Sequence, residues 1–147
     1  MAATPPRPSL NLRVGMVLYL YADFTYDPKP KYFLVVDPSD PPRLLMINTN
    51  LIPAYERRPE LRDCQVPLRA RDCRGLIEHD CWIDCTAVFD YFSVVDIESQ
   101  IARREGQIKG HLIRESLIAV REALDEDVRI SQLEKGRILE QLDSFLD

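Results

Sequence analysis

Val14-Gly15-Met16-Val17-Leu18-Tyr19-Leu20-Tyr21-Ala22-Asp23-Phe24 is rich in β-branched and aromatic residues, alternates loosely, and runs into the turn-like stretch Thr25–Pro30 (TYDPKP). Such a segment suits a pleated, half-buried strand. The next apolar run, Tyr32–Val36 (YFLVV), is closed by Asp37–Pro42 (DPSDPP). A third, Leu44–Ile52, holds Asn48-Thr49-Asn50 within it. Apolar runs this short, bounded by prolines, fit buried strands better than helices. Three of them joined by short connections predict an antiparallel meander, with the loop after the first strand on its rim.

Downstream, the texture changes. Pro53–Gly75 carries Arg57, Arg58, Arg62, Arg69, Arg71 and Arg74 and is interrupted by Pro59 and Pro67, which predicts a loop with one short strand at Cys64–Leu68. In Cys81–Phe89, Cys81, Ile83 and Cys85 alternate against Trp82, Asp84 and Thr86, so one face is expected to be buried. Phe92–Ile97 (FSVVDI) reads as a last strand. Beyond it the period becomes helical. Ile113, Leu117, Val120 and Leu124 form one stripe of a helix from about His111 to Asp125. Ser131 and Glu134 have capping-box spacing, and Leu139, Leu142 and Leu146 stripe a second helix. A small sheet with one apolar face needs a cover, which two amphipathic helices supply. The expected fold is α+β: a barrel-like antiparallel sheet over residues 13–98, then a helical tail over 110–147. Residues 1–12, with three prolines between positions 5 and 8, are expected to be a mobile lead-in to this single domain of residues 13–147.

A chain of 147 residues is long enough to bury a core without staples and too short for a second full domain. With 46% hydrophobic and 29% charged residues, its composition argues against wholesale disorder. The net charge of −5 gives no long-range attraction for polyanions, so any nucleic-acid contact must use a local patch. Met1–Pro8 lacks the apolar core of a signal peptide and no apolar run is long enough for a membrane helix. The expectation is a cytoplasmic protein with no membrane partner. Cys64, Cys73, Cys81 and Cys85 lack paired C-x2-C knuckles, and reduced structural thiols are expected, with no metal and no cofactor. A zinc-stabilised domain using these cysteines and His79 is the minor alternative.

Three segments in order resemble the MazF/PemK toxin family, with its SH3-like barrel and C-terminal helix. They are Val14–Leu18, with its Gly-led opening strand; Lys29–Val36 (KPKYFLVV), similar to the family's basic loop and following apolar strand; and His79–Cys85 (HDCWIDC), near an element that usually carries Ser where Cys81 stands. The resemblance implies a small SH3-like antiparallel β-barrel and a metal-independent, toxin-like endoribonuclease acting on single-stranded RNA. It further implies a cognate antitoxin as partner, and a homodimer. Carried across, the family's loop base falls near Lys29 or Lys31 and its third-strand threonine near Thr49. Where the family has a loop arginine this chain has lysine, which lacks a planar fork for phosphate.

Attack of a ribose 2′-hydroxyl on the adjacent phosphate needs a proton acceptor, a donor to the leaving oxygen, and positive charge beside the oxyanion. Lys31, Thr49 and His79 are the candidate catalytic residues. Lys29, Arg57, Arg58, Arg69 and Arg71 are the candidate substrate contacts. Each has a plainer reading. The lysines and arginines suit a solvated surface, Thr49 a strand-end backbone bond, and His79 an exposed loop. The competing function is a non-catalytic SH3-like protein-interaction module.

Overall fold

The structure, a computed structural model, describes residues 10–25, 27–50, 53–73, 75–127 and 129–147. The first nine residues of the expected lead-in, the end of the third apolar run at 51–52, and Arg74 lie outside the described residues. Leu10 and Leu12 lie within them. The Leu10 N–H donates to Glu98 Oε1 at 2.7 Å, and Leu12 is buried.

Six strands form one antiparallel sheet: β1 (Met16–Ala22), β2 (Lys29–Asp37), β3 (Arg43–Asn48), β4 (Gln65–Leu68), β5 (Cys81–Phe89) and β6 (Gln107–His111). Their order across the sheet is β4-β5-β3-β2-β1-β6. The β1-β2-β3 meander and the short β4 match the sequence reading, and β5 matches it to the residue. No ladder joins β4 to β6 among the described residues, so the sheet has two edges.

Between β3 and β4 the chain forms two single-turn helices, α1 (Pro53–Glu56) and α2 (Pro59–Arg62), where the sequence predicts loop. Pro59 opens α2 because the first turn of a helix has no use for its missing N–H. The stretch read as a last strand is instead the start of helix α3 (Val94–Ala102). Val94 and Val95 favour a strand locally, but Ser93 and Asp96 form a full capping box. Ser93 Oγ accepts the Asp96 N–H and Asp96 Oδ2 accepts the Ser93 N–H, both at 3.0 Å. The tail holds the two expected helices, α4 (Arg114–Glu126) and α5 (Gln132–Leu146). Ser131 caps α5 by accepting the Glu134 N–H, and the buried Lys135 donates from Nζ to the Asp125 carbonyl at the end of α4.

Paired residues on neighbouring strands share a face. One face carries Val17, Leu34, Leu45, Ile47, Ile83 and Val66, covered by Leu117, Val120 and Leu124 of α4 and Ile138 and Leu142 of α5. The other carries Leu18, Leu20, Phe33, Val35, Leu44 and Met46, covered by Phe92 and by Ile97 of α3. Both faces are therefore buried, not one. The helix stripe is as predicted except at Ile113, which precedes α4 and is 41% exposed. No helix among the described residues is long and apolar enough to cross a membrane.

Candidate functional site

One end of the sheet, its rim, gathers the ends of β1, β3 and β4 and the starts of β2 and β5. The register fixes this: Ala22 pairs with Lys29, Leu20 with Lys31, Asn48 with Trp82, and Leu68 with Cys81. Lys29, Lys31, Thr49, His79 and Arg69, from four separated segments, all stand at or just beyond it. The Ala70 N–H donates to Asp80 Oδ1 at 2.9 Å, which ties the short turn carrying Arg69 and Arg71 to the His79 loop.

Lys29 and Lys31 pair with Ala22 and Leu20 and so face the α3 side. Lys29 is half-exposed and its Nζ lies 3.9 Å from Asp27. Lys31 is partly buried. Its amine is held below the usual 10.5 first by burial and then by the Lys29 charge, with Asp27 opposing. Tyr32, one residue on, faces the α4/α5 side. Burial raises its phenol, assisted by Tyr19, Glu78 and Cys81, which puts the His79 loop nearer that side. Thr49 and His79 are exposed. The rim's charge is mixed, with Asp27, Asp72, Glu78 and Asp80 among its lysines and arginines. Among the described residues no hydrogen bond or ion pair joins Lys31, Thr49 and His79.

Arg57 and Arg58 belong elsewhere. They join α1 to α2, and Arg58 pairs with Glu60 at 2.9 Å. α2 leads into Gln65, which pairs with Asp84 in the middle of β5, away from the rim. Trp82 is half-buried on the α3 side of the rim and lies outside both core clusters, not in the core as its size suggests.

Sequence reading missed a buried polar network behind the rim. Asp84 Oδ1 accepts Gln65 Nε2 at 2.9 Å, the Thr86 N–H at 2.9 Å and the Thr86 hydroxyl at 2.6 Å. Tyr55 Oη lies 3.5 Å from the Thr86 hydroxyl. The D-x-T spacing is the local signal for it, since a short Asp side chain reaches the backbone two residues on. The network fixes an irregularity where β3 and β5 slip register between Leu44 and Met46, and so helps aim the start of β5 at the rim.

All four cysteines are buried and free, with their thiols pushed up by burial, Cys85 most. Little thiolate exists at neutral pH, so Cys81 has no nucleophilic character here. Among the described residues no group of three or more His, Cys, Asp or Glu side chains is arranged to hold a metal ion. Three surface cavities, of about 380, 490 and 320 Å³, are lined by none of Lys29, Lys31, Thr49 or His79. No protein-family model matches the chain, and no curated protein or solved structure is significantly similar to it.

Proposed function

We propose that this chain is a metal-independent, toxin-like endoribonuclease of MazF/PemK kind, with an SH3-like sheet whose rim cleaves single-stranded RNA in the cytoplasm. A cognate antitoxin and a homodimer belong to the same reading. The observation behind it is that Lys31, Thr49 and His79 all stand at one end of the sheet, Lys31 on its α3 side and the His79 loop nearer the α4/α5 side. They come from three separated segments, and the Lys31 amine is held below its ordinary range.

The chemistry assigns one role to each. A lysine with a lowered pKa has more neutral amine at a given pH and accepts the 2′-hydroxyl proton. The 2′-oxygen attacks phosphorus, and the 5′-oxygen leaves with a proton from His79. Thr49 donates its hydroxyl to a phosphate oxygen, and Lys29, Arg69 and Arg71 offset the phosphate charge. The products are a 2′,3′-cyclic phosphate and a 5′-hydroxyl, with no oxidant, metal or water consumed. On this reading the RNA strand crosses the edge of the sheet at the rim, so that Lys31 on the α3 side and His79 nearer the α4/α5 side reach one phosphate from its two sides.

One observation favours the second reading, a non-catalytic interaction module: Thr49 and His79 are exposed, and Lys29, Lys31, Thr49 and His79 line none of the three surface cavities. The test is incubation of pure protein with long mixed-sequence RNA in excess chelator. The ribonuclease reading expects fragments ending in cyclic phosphate, with Lys31→Ala and Thr49→Ala slowed roughly a hundredfold or more. Intact RNA, together with unaffected growth of cells expressing the protein, removes it in favour of the module.

A further inference from the structure

The cavity of about 380 Å³ lies on the α3 side, where the end of β1 meets the second half of α3. Its aromatic wall is the pair Phe24 and Tyr91, stacked with ring centroids 4.4 Å apart and planes 21° apart. Phe24 is held by Phe33, Phe89 and Phe92. Tyr91 is 63% exposed and Tyr21, also lining the cavity, 41%. An exposed tyrosine fixed against an anchored phenylalanine is a preorganised platform for a flat ring.

The polar lining sorts into engaged and open groups. Arg103 spends Nε and Nη2 on Glu105 and Nη1 on Ser99. Gln100 spends its amide on the Tyr21 backbone, accepting its N–H at 2.8 Å and donating to its carbonyl at 3.1 Å. Asp96 commits Oδ2 to the Ser93 N–H. Among the described residues no hydrogen bond occupies Asp23 or the second oxygen of Asp96. The open acceptors therefore include the Asp23 and Asp96 carboxylates beside aromatic rings, in a lining whose acids (Asp23, Asp96, Glu105) outnumber its one arginine, which disfavours phosphate and suits a flat ring bearing N–H groups. Lys29, which suits phosphate, pairs with Ala22, immediately before Asp23.

We infer that this cavity is a nucleobase pocket serving the proposed ribonuclease. A base splayed from an RNA strand stacks on Tyr91 while its phosphate rests on Lys29 and Lys31, and the Asp23 and Asp96 carboxylates accept from its Watson–Crick edge. Guanine is favoured, because it alone presents a ring N–H and an amino group side by side to a carboxylate. The inference rests on the RNA reading of the rim.

The experiment measures binding of uncleavable 2′-O-methyl oligonucleotides: an all-uridine chain and the same chain with a single central guanosine, adenosine or cytidine. Wild type is expected to bind the guanosine chain roughly tenfold more tightly than the others. Asp23→Asn removes that preference, so that the guanosine chain binds no more tightly than the other three, whereas Tyr91→Ala weakens every chain. Equal binding of all four chains, or a guanosine preference that survives both substitutions, overturns the pocket. So does binding of a short arginine-rich peptide through Asp23 with no binding of any oligonucleotide. RNA cleavage without base preference removes the pocket and keeps the ribonuclease; guanosine-selective binding without cleavage keeps the pocket and removes the catalysis.

Discussion

In the proposed ribonuclease, Lys31 is the residue on which the chemistry turns. Its strand partner Leu20 is fully buried, so the stem of Lys31 lies against apolar surface while its amine sits near that of Lys29. A lysine whose folded pKa is below its unfolded value binds fewer protons folded than unfolded between those two values. Stability therefore rises as pH climbs through that window towards 10.5, and the penalty is fully present below the folded pKa. At neutral pH the protein carries this charge at a cost to the fold. Lys31→Met should raise the melting temperature at pH 7, read by calorimetry, while abolishing cleavage, the usual conflict between a functional charge and stability. Lys29→Gln removes one of the two causes that lower the Lys31 amine. The midpoint of the rising limb of the pH–rate profile should then move upward; an unmoved midpoint means that Lys31 is not the base.

At the scale of elements, β6 depends on one backbone position. Gly110 has φ +141°, and a Cβ there would lie 2.5 Å from Leu76 Cδ2, beside the irregularity where Val17 pairs with Gly110 but Leu18 pairs with Ile108. Gly110→Ala should cost about 1–3 kcal/mol in urea unfolding, because it combines strained φ with a clash. Ser93→Ala should cost about 1 kcal/mol through loss of the α3 cap. The three opening strands, β5 and the tail helices are legible in sequence because their apolar spacing is local and repeats. α3 is misread because two consecutive valines outweigh the S-x-x-D signal standing in plain view. β6 is not legible at all, since Gln107–His111 has no apolar pattern and exists through pairing with β1, far away in sequence. The rim is legible residue by residue, yet its grouping is not. Register decides that Lys31 stands there and that Arg58, in an equally arginine-rich stretch, does not. The Phe24–Tyr91 wall likewise joins two loops that nothing local connects.

For the whole molecule, burial of both faces means that stability is divided between two cores on opposite sides of a single sheet. Ile97→Ala and Leu117→Ala, each fully buried and each from a different core, should both lower unfolding free energy by about 2–5 kcal/mol. A near-neutral Ile97→Ala in denaturant titration would mean that the α3 side is solvated and that the cavity beside it is not preformed. With a net charge of −5, the molecule as a whole repels RNA, so the proposed RNA contact must be local. The most direct test is therefore where RNA lies. Photocrosslinking of a 4-thiouridine oligonucleotide, mapped by mass spectrometry, should place adducts in peptides containing Lys29–Tyr32, Asn48–Thr49 and His79–Trp82. Adducts confined to the opposite end of the sheet, around Asp37–Arg43, or none at all, would contradict it.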